Sequence, residues 1–159
     1  MLNRLRTDER GFTLLEVITT CLLLGILLAI GVGPWMSYRH ARAHIEARTE
    51  LVATLRNAQI SSVAENITYR VDVTAKKAVT YRIAATGPAV KTRQYLIEDE
   101  LVSYSGIGFE DASGAVTASA YFYPRGSASK GDVNVIRTGR AKVYTVSLEG
   151  LTARVSFTN

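Results

Sequence analysis

One apolar segment near the N-terminus constrains this chain more than any other feature of its sequence. The 22 residues 12–33 contain a single ionisable side chain, Glu16. A helix of that length extends about 33 Å, which is enough to cross the hydrocarbon core of a bilayer, about 30 Å thick. The sequence therefore predicts a transmembrane helix over residues 12–33.

The flanks of this segment indicate a membrane anchor and its orientation. Arg4, Arg6 and Arg10 precede the apolar run, and the positive-inside tendency places them in the cytoplasm and the rest of the chain outside it. A secretory signal peptide also begins with basic residues, but its apolar region is only about 7–15 residues long and ends at a small-residue cleavage site. No such site precedes Pro34, so an anchor is favoured.

Glu16 lies five residues inside this apolar segment. An unpaired carboxylate at membrane depth costs roughly 2.5–3.5 kcal/mol on insertion scales. A cation from a neighbouring molecule would lower that cost, and a free α-amino group would serve if the chain were cut nearby. The alternative is that Glu16 lies close enough to the interface to reach water.

The residues around Glu16 form a motif. The run Arg-Gly-Phe-Thr-Leu-Leu-Glu-Val at 10–17 resembles the processing site of type IV prepilins and type II secretion pseudopilins. The resemblance implies a leader peptide, residues 1–11, that a prepilin peptidase removes by cutting after Gly11. It also implies N-methylation of the new first residue, Phe12. Glu16 would then pair with the N-terminal amine of an adjacent pilin or pseudopilin subunit, and the cut itself would supply that amine.

Helical character continues beyond the membrane segment, over residues 34–64. An apolar stripe on this second half predicts a covering sheet; it consists of Leu51, Leu55, Ala58 and Ser62, flanked by Val52 and Val63. Pro34 cannot donate the helical hydrogen bond to residue 30, so a kink or local melting is expected there. The second half of the helix is therefore predicted to be amphipathic.

Alternation of apolar and polar residues begins after residue 65. Ile67, Tyr69, Val71 and Val73 form a period-two series, and after a turn at 75–77 a second strand is expected to continue it with Val79, Tyr81 and Ile83. Further strands are predicted at 94–97, 101–104, 106–109, 118–123, 133–137, 142–148 and 153–157. The fold class is α+β, a long N-terminal helix packed on an antiparallel β-rich head formed by residues 65–159.

The head carries a second, looser resemblance. Tyr-Phe-Tyr-Pro-Arg-Gly at 121–126, the strand at 133–137 and the final hairpin are similar to FimT-like minor pilins and to the H pseudopilin of type II secretion. FimT-like pilins that bind DNA carry a Gly-Arg-x-Arg element near the C-terminus. The corresponding stretch here, residues 150–154, lacks one arginine, so DNA uptake is not favoured. The candidate DNA contacts are Arg140, Lys142 and Arg154.

Motifs for catalysis and metal binding are missing from the sequence, and no enzyme, cofactor or metal is expected. His40 and His44 stand four residues apart, a spacing that permits a shared metal, but surface positions beside the membrane are favoured. The acidic triplet at 98–100 is predicted to be a solvated turn. The single cysteine, Cys21, excludes an intramolecular disulfide.

The net charge of +5 permits contact with nucleic acid or anionic lipid but requires neither. The sequence therefore favours a subunit that primes or joins the tip of a pilus or secretion filament. Two alternatives stay open: a minor pilin that binds DNA for transformation, and an unprocessed single-pass anchor with a ligand-binding head.

Overall fold

In the computed structural model, residues 12–158 are described, except for the side chain of Val32. The predicted leader 1–11, with the cleavage residue Gly11, lies outside the described residues. One helix, α1 (Leu14–Ala64), occupies the first third of the chain. Its bounds confirm the predicted long N-terminal helix.

Helix α1 passes Pro34 without a break in its helical residues. The local melting expected at this proline is therefore wrong, and the kink stays a prediction. The chain divides into two compact units, which meet in sequence between Tyr38 and Arg39.

The first unit presents its apolar side chains to the outside. Leu14, Leu15 and Leu27 are 70–80% exposed, and Leu22 and Ile30 are 60–68% exposed. By length and composition, α1 is the one helix in the described part of the chain that could cross a membrane. Among residues 12–38, nothing covers this apolar surface.

The second unit contains nine antiparallel strands in two sheets. The four-stranded sheet has the order β3-β2-β1-β6 and the five-stranded sheet has the order β5-β4-β7-β8-β9. Their bounds are β1 (Thr68–Thr74), β2 (Lys77–Ile83), β3 (Val90–Leu96), β4 (Val102–Glu110), β5 (Val116–Thr117), β6 (Ser119–Phe122), β7 (Lys130–Arg137), β8 (Tyr144–Leu148) and β9 (Val155–Thr158).

The pairing of β1 with β2 differs from the predicted continuation. A two-residue turn pairs Val73 with Ala78 and Val71 with Thr80, so odd-numbered residues of β1 share a face with even-numbered residues of β2. Ala78 and Thr80, not Val79 and its alternate neighbours Tyr81 and Ile83, therefore lie on the core face. The predicted continuation of the apolar series is wrong, because the length of the turn reverses the parity.

Other strand limits also changed. Residues 101–104 and 106–109 were predicted as two strands but form the single strand β4, which is irregular between Ser105 and Gly108. Gly106 adopts a φ of 56°, a left-handed conformation that glycine accepts without a steric cost, and the strand continues past it. The predicted strands at 94–97 and 142–148 begin instead at Val90 and Tyr144, and the short β5 was not predicted.

Both sheets pack on the second half of α1. Its predicted stripe is buried, with Leu51, Leu55, Ala58 and Ser62 at most 2% exposed, whereas the predicted flank Val63 is 52% exposed. The larger strand side chains that join this core are Val71, Val73, Val102, Tyr104, Phe109, Phe122, Val133, Val135, Val146 and Leu148. The α+β architecture predicted from the sequence is therefore confirmed.

Candidate functional site

Thr13 fixes the start of α1. Its side-chain oxygen accepts a hydrogen bond from the backbone N–H of Glu16 (3.2 Å), and its carbonyl accepts one from the N–H of Val17 (3.2 Å). A threonine followed three residues later by a glutamate is the spacing of a capping box. Sequence reasoning missed this cap, although the Thr-x-x-Glu pattern was its signal. The helix therefore begins two residues after the predicted first residue of the mature chain, Phe12.

Glu16 itself lies in the first turn of α1 and is exposed. Within residues 12–158, no hydrogen bond or ion pair engages its carboxylate. The partial positive charge at a helix N-terminus favours an acid at this position, but it does not neutralise a full charge. Phe12, 81% exposed, lies at the same end. The arrangement therefore leaves room for a cation supplied from outside this unit.

Two other polar side chains of the apolar segment are satisfied locally. The hydroxyl of Thr19 donates to the carbonyl of Leu15 (2.8 Å), and that of Thr20 donates to the carbonyl of Val17 (2.9 Å). Hydroxyls that bond back to the preceding turn cost little in an apolar environment. Glu16 thus differs from both threonines in needing a partner beyond its own helix.

The three candidate DNA contacts lie at opposite ends of β8. Arg140 and Lys142 are exposed in the loop before β8, and the ammonium of Lys142 lies 5.0 Å from the ring centre of Tyr144. Arg154 follows the turn at the other end of β8, beyond Glu149. Five residues of strand, about 16 Å, separate the two ends. This distance does not favour a compact phosphate-binding patch built from all three.

The predicted surface position is wrong for His44, which is buried, whereas the side chain of His40 is 28% exposed. His44 is 5% exposed, and its Nε2 lies 2.9 Å from the carbonyl oxygen of Val135. Nδ1 of His40 lies 2.6 Å from Oδ2 of Asp99. Both therefore attach α1 to the head. The two histidines precede Leu51 at helical spacing, so they continue its stripe toward the N-terminus. The sequence interpretation did not use this signal.

The acidic triplet at 98–100 is likewise not a simple solvated turn. The ammonium of Lys76 donates to three carbonyls around it, those of Asp99, Glu100 and Val102, at 2.6–2.9 Å. Tyr104 is buried nearby, and its hydroxyl donates to the carbonyl of Ala47 (3.0 Å). In the described part of the chain, no three His, Cys, Asp or Glu side chains are grouped as metal ligands. These contacts are structural.

Comparison with known families and structures bears on the apolar segment and on the head separately. Residues 6–32 match the family described as the prokaryotic N-terminal methylation motif. The match includes Phe12 and Glu16. No curated protein sequence matches the chain.

Two solved minor subunits share the fold. The minor pseudopilin EpsH from the type 2 secretion system of Vibrio cholerae superposes with a TM-score of 0.57 and 9% identity, over 72% of this chain and 94% of that chain. The type IV minor pilin FimU of Pseudomonas aeruginosa superposes with a TM-score of 0.55 and 13% identity, over 78% and 91%. A second crystal form of FimU gives a TM-score of 0.52 and 14% identity.

The chain is type IV pilin-like in motif and fold. The motif covers the apolar segment, and the structural similarity covers most of the chain. This pilin-like chain therefore combines an apolar N-terminal helix long enough to cross a membrane with a head whose fold is similar to those of EpsH and FimU. Glu16, at the capped start of that helix, is its candidate functional residue.

Proposed function

We propose that this chain is a minor subunit of a type IV pilus or of a type II secretion-like filament. A prepilin peptidase cuts between Gly11 and Phe12, and Phe12 is then N-methylated. Before assembly the chain is anchored in the inner or cytoplasmic membrane with its head outside the cytoplasm. Its role is to build the filament, and it catalyses no reaction.

The observation that carries this proposal is Glu16 in the capped first turn of an exposed apolar helix, where no residue from 12 to 158 pairs with its carboxylate. Lipid and neighbouring helices are equally apolar. Moving the apolar half of α1 from lipid into a filament therefore gains little from the hydrophobic effect. The free energy that makes assembly specific comes from the carboxylate of Glu16. On assembly its unfavourable isolated charge becomes part of an ion pair. The amine of a processed subunit has the required charge.

The cap strengthens this interpretation. The hydroxyl of Thr13 accepts from the backbone N–H of Glu16, so the backbone of the first turn is held in a helix close to Phe12. A neighbouring N-terminus that reaches this turn would meet the exposed carboxylate. We infer that incoming subunits are positioned by this contact before their apolar helices pack.

Two experiments test the proposal. Mass spectrometry of the cellular protein should show the loss of residues 1–11 and one added methyl group on Phe12. An intact Met1 terminus would instead support the unprocessed single-pass anchor and overturn the proposal.

The second experiment compares Glu16→Ala with a matched acid on the head. Glu16→Ala should reduce incorporation into sheared filaments by about tenfold or more, because the partner amine is left without a counter-charge, while cleavage continues. Glu110→Ala, which removes an exposed acid from β4, should leave incorporation unchanged. Normal incorporation of Glu16→Ala would contradict the mechanism.

A further inference from the structure

One loop of the head carries cations without acids. All the charged side chains of residues 133–148 are basic, namely Arg137, Arg140 and Lys142. They lie at the end of β7 and in the segment that joins β7 to β8. We call residues 137–142 the basic loop. Because no carboxylate interrupts these charges along the chain, the loop has a local field that attracts anions.

A tight turn presents the basic loop to solvent. The N–H of Arg140 donates to the carbonyl of Arg137 (3.1 Å), and Gly139 within this turn has a φ of 78°, which glycine adopts without a steric cost. The ammonium of Lys142 lies 5.0 Å from the ring centre of Tyr144. Arg140 and Lys142 are both exposed, and in the described part of the chain no carboxylate pairs with either. The loop therefore holds two uncompensated positive charges.

The basic loop lies at the end of the head where α1 enters it. Nε2 of His44 lies 2.9 Å from the carbonyl oxygen of Val135 in β7. The strand then runs toward His40, because the N–H of Thr138 donates (2.8 Å) to a carbonyl of the turn that Asp99 joins to this histidine. The loop that follows β7 is therefore next to the first residues of the second unit.

Chain length limits how far this end of the head lies from a membrane. The predicted transmembrane segment ends at Gly33, and the second unit begins six residues later, at Arg39. Six residues extend at most about 20 Å. An anchored chain therefore keeps its basic loop close to a bilayer surface, and an anionic bilayer attracts cations that come within about 8 Å at physiological salt.

The other charges at this end of the head leave it positive. Asp99 is paired with His40, and Glu98 and Glu100 are exposed on the same turn. The ammonium of Lys76 donates to two carbonyls of this turn, so a cation accompanies the acids. With the first turn of the second unit included, six cations outnumber these three acids; the cations are Arg39, Arg42, Lys76, Arg137, Arg140 and Lys142. The excess favours an anionic partner.

The surroundings of the loop favour lipid phosphate over nucleic acid. Single strands stack their bases on aromatic rings, but residues 137–143 contain no aromatic side chain, and the ring of Tyr144 is 6% exposed. A duplex is bound by cations along its phosphates, whereas Glu98 and Glu100 lie on the neighbouring turn. Val143, 37% exposed, places an apolar side chain next to the loop's lysine. Such a pair is suited to the boundary between headgroups and acyl chains.

We propose that the basic loop binds the phosphate headgroups of anionic phospholipids in the membrane that anchors the chain. The guanidinium of Arg140 donates to a phosphate, Lys142 adds a second charge, and Val143 contacts the acyl boundary. This inference rests on the membrane anchoring in the proposed function and adds to it the class of lipid that the head contacts. The contact holds the head of an unassembled subunit at the bilayer and is lost when the subunit leaves the lipid.

The test places the full chain in lipid nanodiscs and measures how near the loop lies to the headgroups. A fluorophore is attached at Ala141→Cys in a Cys21→Ala background, and a fixed fraction of the lipids carries a headgroup spin label as the quencher. Quenching should be about threefold stronger in nanodiscs rich in phosphatidylglycerol than in pure phosphatidylcholine. Salt at about 1 M should abolish the difference, because the Debye length falls to about 3 Å.

Two double variants identify the cations responsible. Arg140→Gln with Lys142→Gln should reduce quenching in anionic nanodiscs to the neutral level, because each lost cation weakens the attraction about fivefold. The matched control is Arg125→Gln with Lys130→Gln, which also removes two exposed cations; Lys130 lies at the opposite end of β7 from the loop. The control should leave quenching unchanged. Both should unfold at the temperature of the unmodified chain, so a loss of contact is not a loss of fold.

The outcomes separate this inference from the proposed function. Insertion into nanodiscs with equal quenching in anionic and neutral lipid overturns the inference alone, as does quenching that Arg140→Gln with Lys142→Gln leaves intact. Binding of a single-stranded oligonucleotide to the loop in neutral nanodiscs would assign the loop to nucleic acid and overturn it as well. A chain that does not enter nanodiscs overturns the membrane anchoring, and the inference with it.

Discussion

Asp99 links the head to helix α1 through His40. Its Oδ2 lies 2.6 Å from Nδ1 of His40, and its Oδ1 accepts a hydrogen bond from the N–H of Leu101 (2.9 Å). Burial opposes ionisation of this carboxyl, but the hydrogen bonds from His40 and Leu101 outweigh it, so the pKa of Asp99 lies below its ordinary value. The ionised form therefore stabilises the fold.

This lowered pKa predicts the direction of an acid effect. The contribution of Asp99 is fully present above the unfolded-state pKa, about 3.9, and is lost as the pH falls through the lower folded-state pKa. At pH 7, Asp99→Asn should cost about 1 kcal/mol, the net value of a partly exposed hydrogen-bonded contact. The difference between the two proteins should shrink toward pH 3.

Thermal unfolding of the full chain in detergent, followed by circular dichroism from pH 7 to pH 3, measures this effect. Glu98→Gln is the control, because Glu98 is exposed and should shift the midpoint little at any pH. A constant difference between Asp99→Asn and the unmodified chain across the range would contradict the assignment.

At the same scale, some residues could be assigned from the sequence and others could not. Leu51 and Leu55 were predicted correctly because helical spacing identifies a buried face without knowledge of its partner. His44 was not, because a histidine on a helix is compatible with water or with a buried acceptor. Only the position of the Val135 carbonyl, 91 residues later, decides between them.

At the scale of elements, the pairing of β4 with β7 depends on one glycine. Gly131 lies opposite Phe109, and a Cβ at this position would overlap the carbonyl oxygen of Gly108 and lie 2.7 Å from the Cα of Phe109. Both obstacles are backbone atoms, which cannot rotate away. The two strands must separate locally to admit any side chain.

Gly131→Ala should therefore destabilise the head by about 3 kcal/mol, at the upper end of overpacking effects. The control is Gly139→Ala, whose Cβ would meet no atom within 4 Å although its φ is 78°; backbone strain alone should cost about 1 kcal/mol. Urea denaturation of the two variants measures the difference. Equal midpoints would show that the β4–β7 contact yields easily.

The strand pattern was only partly predictable for a related reason. Alternation located β1 and β2 but assigned Val79 to the wrong face, because a two-residue turn sets the register. The continuity of β4 depends on Gly106, whose left-handed conformation allows an irregularity that a pattern of apolar residues does not reveal. The local sequence determines where strands lie, whereas the turns between strands determine their registers.

At the scale of the whole molecule, the two units differ in where their apolar side chains lie. Among the described side chains, none before His44 is buried, and the core of the second unit begins with Ala47 and Leu51. The first unit exposes its apolar side chains. The head therefore draws its stability from residues 39 onward, and under the proposed function the apolar half of α1 would serve insertion and assembly.

This division predicts opposite outcomes for two truncations. A chain starting at Arg39 keeps the contacts of His40, His44 and Leu51, and should be soluble and unfold cooperatively. A chain starting at residue 53 loses all three; removal of the Leu51 side chain alone costs about 2–5 kcal/mol, against a total stability of about 5–15 kcal/mol. It should show no cooperative transition. Calorimetry of both proteins measures this directly. Cooperative unfolding of the shorter chain would show that the core does not depend on the helix, and aggregation of the longer one would show that the head needs residues before Arg39.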